Sequence, residues 1–372
     1  MRKVKNLVVG CGLSGIVLAE RLASQRGEEV LIIDRRNHIG GNIYDYKDKE
    51  TGITVHQYGP HAFHTNNKKV WDYLNNFTKF YPMNLKVSAY IDGQTVPVPF
   101  NFNSIEKLFP SFMAEKLEKK LVERFGYDVK VPILMLKKEN DEDLKFLADF
   151  VYKNVFEGYT IKQWEIEPDK IDSEVMARVP VFIGRDDRYF QDMYQGIPWN
   201  GYTEMAKNML SNKLITVELN TDFKNVKNDI EAERIFYSGA IDEFFEYSEG
   251  TLPYRSLHFD ILIKDLEKEQ PTTTINYPNN YDWTRVCEHK HFLNENSKQT
   301  VLSYEYPEAF EEGKNERYYP INNPETQQLY NQYLNKAKGL KNVYFIGRLG
   351  DYKYYNMDQT VARALELFER IK

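Results

Sequence analysis

Short continuous apolar runs open and close this chain, and between them apolar positions recur at helix spacing. Asn6-Leu7-Val8-Val9 predicts a short buried strand, and Gly10-Cys11-Gly12-Leu13-Ser14-Gly15 follows it directly. Ile16, Ala19, Leu22 and Ala23 then fall on one helical face as far as about Arg26, where Gly27 stops the helix. Val30-Leu31-Ile32-Ile33 predicts a second strand that ends on Asp34. From Ser104 to about Tyr159 the period is again helical, through Met113, Leu117, Leu121 and Phe125, then Leu144, Leu147, Val151 and Val155. Charged residues fill the other faces, and Pro110 and Pro132 mark boundaries. Ile215 to Leu219, Arg234 to Tyr237 and Thr300 to Tyr304 are β-branched or aromatic runs between turns, which predict short strands of an antiparallel sheet. The chain closes with a strand from Asn342 to Ile346, Gly347-Arg348, an aromatic loop and a helix from about Asp358.

At 372 residues the chain is too long for one simple core, so two or three packed substructures are expected. A net charge of -6 and a pI near 5.8 exclude a broad basic surface for nucleic acid, so any anion site must be a local cluster of arginines. Mean hydropathy of -0.61, with no window near the roughly 18 apolar residues of a spanning helix, predicts no membrane segment. Arg2, Lys3 and Lys5 precede an apolar run, but Gly10, Gly12 and Gly15 interrupt it and no cleavage site follows, so a cytoplasmic protein is expected. Two cysteines, Cys11 and Cys287, make no disulfide framework. His61 and His64 stand three apart with no third ligand cluster, so no metal is expected. Tyrosine is abundant, 27 against 4 tryptophans, and its crowding between Tyr304 and Tyr355 predicts a polar, ligand-facing surface.

The strand, glycines, helix, second strand and terminal acid at the N-terminus together make a dinucleotide site. Gly10 permits the tight turn, Gly12 lets backbone approach a pyrophosphate, and Gly15 lets helix and strand pack closely. The helix N-terminus presents free N–H groups to the anion. Asp34 suits a ribose 2′-hydroxyl and repels a 2′-phosphate. Arg36 followed by Gly40-Gly41-Asn42 resembles the extension in FAD-binding proteins of the glutathione-reductase type, and the C-terminal strand–glycine–loop–helix resembles the segment that returns to the flavin in such folds.

Several words in order along nearly the whole chain resemble the bacterial UDP-galactopyranose mutase family. They are Arg36-Asn37-His38-Ile39-Gly40-Gly41-Asn42, Tyr58-Gly59-Pro60-His61-Ala62-Phe63-His64-Thr65, Gly158-Tyr159-Thr160-Ile161-Lys162-Gln163-Trp164, Tyr194-Gln195-Gly196-Ile197-Pro198, Tyr254-Arg255-Ser256-Leu257, Glu288-His289-Lys290-His291-Phe292 and Tyr352-Lys353-Tyr354-Tyr355. The resemblance implies an isomerase that uses reduced FAD as a nucleophile on a UDP-sugar. Flavin N5 attacks the anomeric carbon, UDP leaves, and the N5–sugar adduct opens and recloses as the furanose before UDP returns. It further implies a cytoplasmic homodimer that supplies galactofuranose for cell-surface polysaccharide.

The resemblance also assigns residues. Cofactor contacts are Gly10, Gly12, Gly15, Asp34, Arg35, Gly41, Asn42, His61, Arg348 and Met357. Arg178 and Arg285 clamp the diphosphate, since guanidinium charge does not titrate. Alone, each reads as an ion-paired surface arginine, with Glu174 and Asp282 as nearby partners. Tyr159 takes the uracil and Trp164 lies near the sugar-phosphate. Tyr189, Tyr319 and Tyr354 donate hydroxyls to the diphosphate, and Asn84, Arg255 and Asn356 complete the substrate contacts. His61 and His64 flank the flavin, and Glu305 is a supporting acid.

The expected fold is mixed α/β with a discontinuous Rossmann-like FAD-binding domain, residues 1–80 with 208–245 and 320–372. A helical insertion occupies 100–175, and an antiparallel-sheet substrate domain comprises 81–99, 176–207 and 246–319. Three departures from the family pattern leave the flavin chemistry intact and open the identity of the sugar. Asn356 replaces an aspartate, Ala62 replaces a bulkier residue, and residues 182–188 drift. An N-acetyl, 6-deoxy or pentose analogue of UDP-galactose is therefore a candidate beside galactose itself. The alternative activity is an FAD-dependent oxidoreductase of the amine-oxidase or desaturase kind, which explains both ends of the chain without the arginine–tyrosine cluster. A flavoprotein redox sensor is disfavoured by the lack of a redox-active cysteine pair.

Overall fold

The computed structural model describes residues 1–164 and 180–371. Its first layer is a five-stranded parallel sheet in the order Ile215–Glu218, Val30–Ile33, Arg2–Val9, Ile230–Tyr237, Val343–Phe345. The helix Leu13–Arg26 is buried along most of its length and packs on the C-terminal helix Met357–Arg370, so the two ends of the chain share one core. Gly15 makes this closeness possible, because a Cβ there would stand 2.1 Å from the Gly10 carbonyl oxygen. Two of the three runs expected in an antiparallel sheet, Ile215–Glu218 and Ile230–Tyr237, instead run parallel in this layer. Residue type marks a strand but does not fix its direction; the chain path through intervening helices does that.

The second sheet has seven strands in the order Tyr319–Pro320, Tyr254–Lys264, Thr300–Ala309, Arg285–Glu288, Thr274–Asn276, Val87–Ile91, Gln94–Val98. All its pairings are antiparallel except Thr274–Asn276 with Val87–Ile91. The register sets Asn276 opposite Arg285 and Arg285 opposite Glu305, so all three side chains share one face.

The described part of 176–207, expected in this sheet, lies elsewhere. Pro180–Ile183 pairs with Val129–Pro132 beside the helical insertion, and Tyr194–Pro198 lies between Phe63–Thr65 and Phe80–Pro82. The strand Val129–Pro132 is too short for its alternation to register within a helical run, and left-handed Asp128, at φ 64°, turns the chain into it.

The insertion consists of the helices Phe102–Leu108, Ser111–Phe125, Ile133–Leu136 and Glu142–Val151, a π-helical stretch Tyr152–Glu157 and the helix Gly158–Trp164. The last three form one continuous rod whose π-turn rotates the following side chains toward the sheet. Among the described residues no helix is long and apolar enough to cross a membrane.

Candidate active site

Two clefts meet between the sheets. The first follows the parallel sheet and is lined by Gly10, Gly12, Asp34, Arg35, Gly41 and Asn42, with Arg348 and Met357 from the C-terminal segment. The helix Leu13–Arg26 begins here at Gly12, which has no side-chain cap, so its leading N–H groups stand at the cleft. Gly12 and Gly41 are pressed together, since a Cβ on Gly41 would lie 2.8 Å from Gly12 Cα. Asp34 accepts the backbone N–H of Cys11 at 2.6 Å and of Arg36 at 2.8 Å, and these bonds fix its carboxylate at the cleft wall. Bare backbone, an uncapped helix end and an oriented carboxylate fit a dinucleotide with a free ribose hydroxyl. Gly15 lies behind this wall, and Arg35 pairs with Glu316 at 2.6 Å.

The second cleft runs from the rod to the first cleft. Asn42, His61, Tyr318, Arg348 and Met357 line both clefts and form the junction. Tyr159, Tyr189, Arg285, Tyr319, Tyr354, Asn356 and His64 are brought to the second cleft. Arg285 donates through Nε to Glu305 Oε2 at 2.7 Å, so its partner is Glu305 rather than the sequence neighbour Asp282. Burial works against the guanidinium charge, but the carboxylate outweighs it and holds the Arg285 pKa well above its usual value. Tyr319 and Tyr354 stack at 5.2 Å, with Arg348 beneath both rings and donating to the carbonyls of Tyr318 and Tyr355. His64 bonds Asp192 at 2.5 Å and stacks on Phe190 at 3.5 Å.

Three expected residues stand off the cleft wall. Glu305 is buried behind Arg285, where Thr284 also reaches its carboxylate, so it holds the arginine rather than meeting substrate. Arg255 is 2% exposed and donates to the Gln163 carbonyl, which anchors the rod's last turn. Asn84 is exposed beside Leu85, which does line the cleft. Trp164 is the last residue of the rod, and Arg178 lies outside the described residues. Sequence reasoning missed Asn276, Phe156, Thr160, Phe190 and Tyr318. Tyr318 adjoins the expected Tyr319, whereas Asn276 is found only through its register with Arg285.

Hydrogen bonds set the tautomer of His61. Its Nδ1 donates to the Gly59 carbonyl at 2.7 Å, which leaves Nε2 as an acceptor at the junction. Behind it the His61 N–H donates to His56 Nδ1, and the His56 N–H donates to His289 Nδ1. With Nδ1 so engaged, His289 carries its proton on Nε2 and donates to Ser303 Oγ at 3.0 Å. Burial pushes the His61 pKa down to about 4 and that of His289 to about 3, and holds His56 well below its usual value. All three rings are neutral at physiological pH.

Residues 154–354 match the UDP-galactopyranose mutase family, and residues 8–77 match an NAD(P)-binding Rossmann-like domain. The chain is 38% identical over 363 residues to a Klebsiella pneumoniae protein named "Probable UDP-galactopyranose mutase", covering 97% of this chain and 92% of that one. It is 37% identical over 369 residues to the dTDP-fucopyranose mutase of Escherichia coli, covering 97% of each. A crystal structure of reduced UDP-galactopyranose mutase superposes with a TM-score of 0.72 at 14% identity, covering 99% of this chain and 94% of that one, a likeness of fold.

The neutral histidines make the fold acid-sensitive. An unfolded histidine takes a proton near pH 6.5, whereas buried His56 and His289 resist it far below that, so stability falls as pH drops from about 6.5 toward 4. Two such groups give a slope of about 2–3 kcal/mol per pH unit near pH 5.5. Urea unfolding of the holoprotein at pH 6.5 and 5.5 measures it. His289→Gln is expected to remove about half the slope, and an equal slope in wild type and variant contradicts the assignment.

Proposed function

The chain belongs to the UDP-galactopyranose mutase family, and from that membership we propose that it is an FAD-dependent isomerase interconverting the pyranose and furanose forms of a nucleotide-linked sugar. The observation that carries the reading is Arg285, held by buried Glu305 at the wall of a cleft that opens at His61 onto the dinucleotide cleft. Reduced FAD, held along Gly10, Gly12, Asp34, Gly41 and Asn42, supplies the nucleophile when bound.

The chain's own groups do the rest. Arg285 takes the diphosphate and stabilises it as it leaves, with Tyr319 and Tyr354 donating hydroxyls. Burial pushes the Tyr319 pKa up, so that hydroxyl keeps its proton as a donor. Arg348 adds fixed positive charge at the junction. His61 Nε2 accepts a hydrogen bond there and stays unprotonated across physiological pH. Tyr159 and Phe156 receive the nucleobase, and Arg178 joins the diphosphate clamp on the family pattern. A homodimer belongs to the same proposal, with exposed Phe112, Leu134, Met135 and Phe146 of the insertion at the contact. Light scattering that finds only monomer at working concentration removes the dimer.

The departures bear on the sugar. Asn356 is the N-cap of the helix Met357–Arg370, and its N–H donates to Gln359 Oε1 at 2.9 Å. Asn and Asp cap helices about equally well, so the exchange leaves the helix start intact and removes a charge from the cleft wall. Ala62 also lines the cleft, next to His61 at the junction. A neutral wall with extra room beside the sugar end supports a substrate other than UDP-galactose. Among the N-acetyl, 6-deoxy and pentose candidates, the 6-deoxy sugar has a relative in the dTDP-fucopyranose mutase.

One anaerobic experiment tests activity and sugar together. The reduced protein is incubated with UDP-galactose, dTDP-fucose and a UDP-N-acetyl sugar, and ring form is read by NMR. Interconversion without consumption of reductant is expected, fastest by kcat/KM on a sugar other than UDP-galactose. One NADH oxidised per product would transfer the assignment to the oxidoreductase. A clear preference for UDP-galactose, unchanged in Asn356→Asp, would remove the altered sugar alone.

Arg285→Ala is expected to cut turnover by about 30- to 1000-fold, for a loss of roughly 2–4 kcal/mol of transition-state stabilisation. FAD content should persist, because Arg285 does not line the first cleft. Arg285→Lys should recover only part of the loss, since an ammonium lacks the planar fork. Wild-type turnover in the alanine variant moves the clamp elsewhere.

A further inference from the structure

The turn between Thr274–Asn276 and Arg285–Glu288 has a cleft residue at each foot, Asn276 and Arg285. Its tip leans on the helix Gly158–Trp164, which carries Tyr159 and Thr160 on the opposite wall. At Gly158 an added Cβ would stand 2.4 Å from the Pro278 carbonyl oxygen and 2.7 Å from Asn279 Oδ1, so only glycine permits this approach. One helical turn later, Lys162 Nζ donates to the carbonyls of Tyr277, Tyr281 and Trp283, the last two at 3.1 Å. An ammonium has three N–H donors, and all three are used on one short turn. The turn is packed on its far side by Tyr90, Tyr277, Tyr281, Trp283 and Tyr304, whose rings meet mostly edge to face. Lys162 itself does not line the cleft.

We propose that Lys162 is a positioning residue that fixes the span between the nucleobase wall of the cleft, Tyr159 and Thr160, and its diphosphate wall, Asn276 and Arg285. The inference rests on the nucleotide-sugar reading of this cleft. A ligand that touches both walls needs them at one separation, and an error of about 1 Å in such a span costs on the order of 100-fold in productive binding. A ligand that touches only one wall is indifferent to the span. Lys162 therefore acts on substrate without contacting it.

The test compares a two-wall ligand with a one-wall ligand on the FAD-loaded protein. Wild type is titrated with uridine and UDP, and with thymidine and dTDP, and the tighter pair is kept. Lys162→Met preserves the stem and removes every donor. It is expected to weaken the nucleoside diphosphate and raise KM by about tenfold or more, with nucleoside affinity and saturating kcat within about threefold of wild type. Lys162→Arg should restore part of the diphosphate affinity. Gly158→Ala, which displaces the turn and keeps the ammonium, should give the same split should Lys162→Met fail to fold. Equal losses for nucleoside and diphosphate, or no loss for either in a folded variant, overturn the positioning role. Failure of wild type to bind either pair overturns instead the reading of the cleft.

Discussion

The substrate cleft depends on a carboxylate that never reaches it. Glu305 is buried under the sheet face with only Arg285 and the Thr284 hydroxyl to satisfy it. Taking both charges from water costs several kcal/mol per ion, and their attraction returns that only with good geometry, so such a pair is a poor way to stabilise a fold. It is a good way to aim a cation. The antiparallel register sets Arg285 opposite Glu305, and the carboxylate engages Nε. The rest of the fork is turned to the cleft, beside Tyr159, Tyr319 and Tyr354. Loss of that register would place an unpaired carboxylate in the core, so the sheet and the site are correct together or not at all.

The legible part of the molecule was the part written in local spacing. Gly10, Gly12, Gly15 and Asp34 declare themselves because tight turn, close approach and terminal acid lie within one strand–helix–strand unit, and the structure puts those elements together. The closing strand, glycine turn and helix were legible for the same reason. What composition of a strand does not carry is its direction or its neighbour. Ile215–Glu218 and Ile230–Tyr237 have the residues of any half-buried strand, and only the chain path makes them parallel. Pro180–Ile183 finds its partner in a four-residue strand hidden in a helical run.

The same limit separates the site residues. Family words brought Tyr159, Arg285, Tyr319 and Tyr354 into view, but words do not say which way a side chain faces. Arg255 lies in one of those words and is spent on the Gln163 carbonyl. Glu305 sits one strand further from the cleft than its charge suggests. Asn276 belongs to no word and enters through cross-strand pairing with Arg285. The neutral state of His61 is likewise non-local, because it depends on bonds through His56 and His289, more than two hundred residues apart in sequence.

The junction between the clefts has a consequence for how such a protein changes its diet. Asn42, His61, Tyr318, Arg348 and Met357 answer to two ligands at once, so a substitution there that suits a new sugar also disturbs the grip on the dinucleotide. Ala62 and Asn356 flank those five residues and border the second cleft alone. They form a narrow ring of positions where drift is tolerable, close enough to the sugar to be felt and far enough from the cofactor to be harmless. Diversification within this architecture is thereby channelled to a few sites, and two of the three departures noted in this chain fall on that ring.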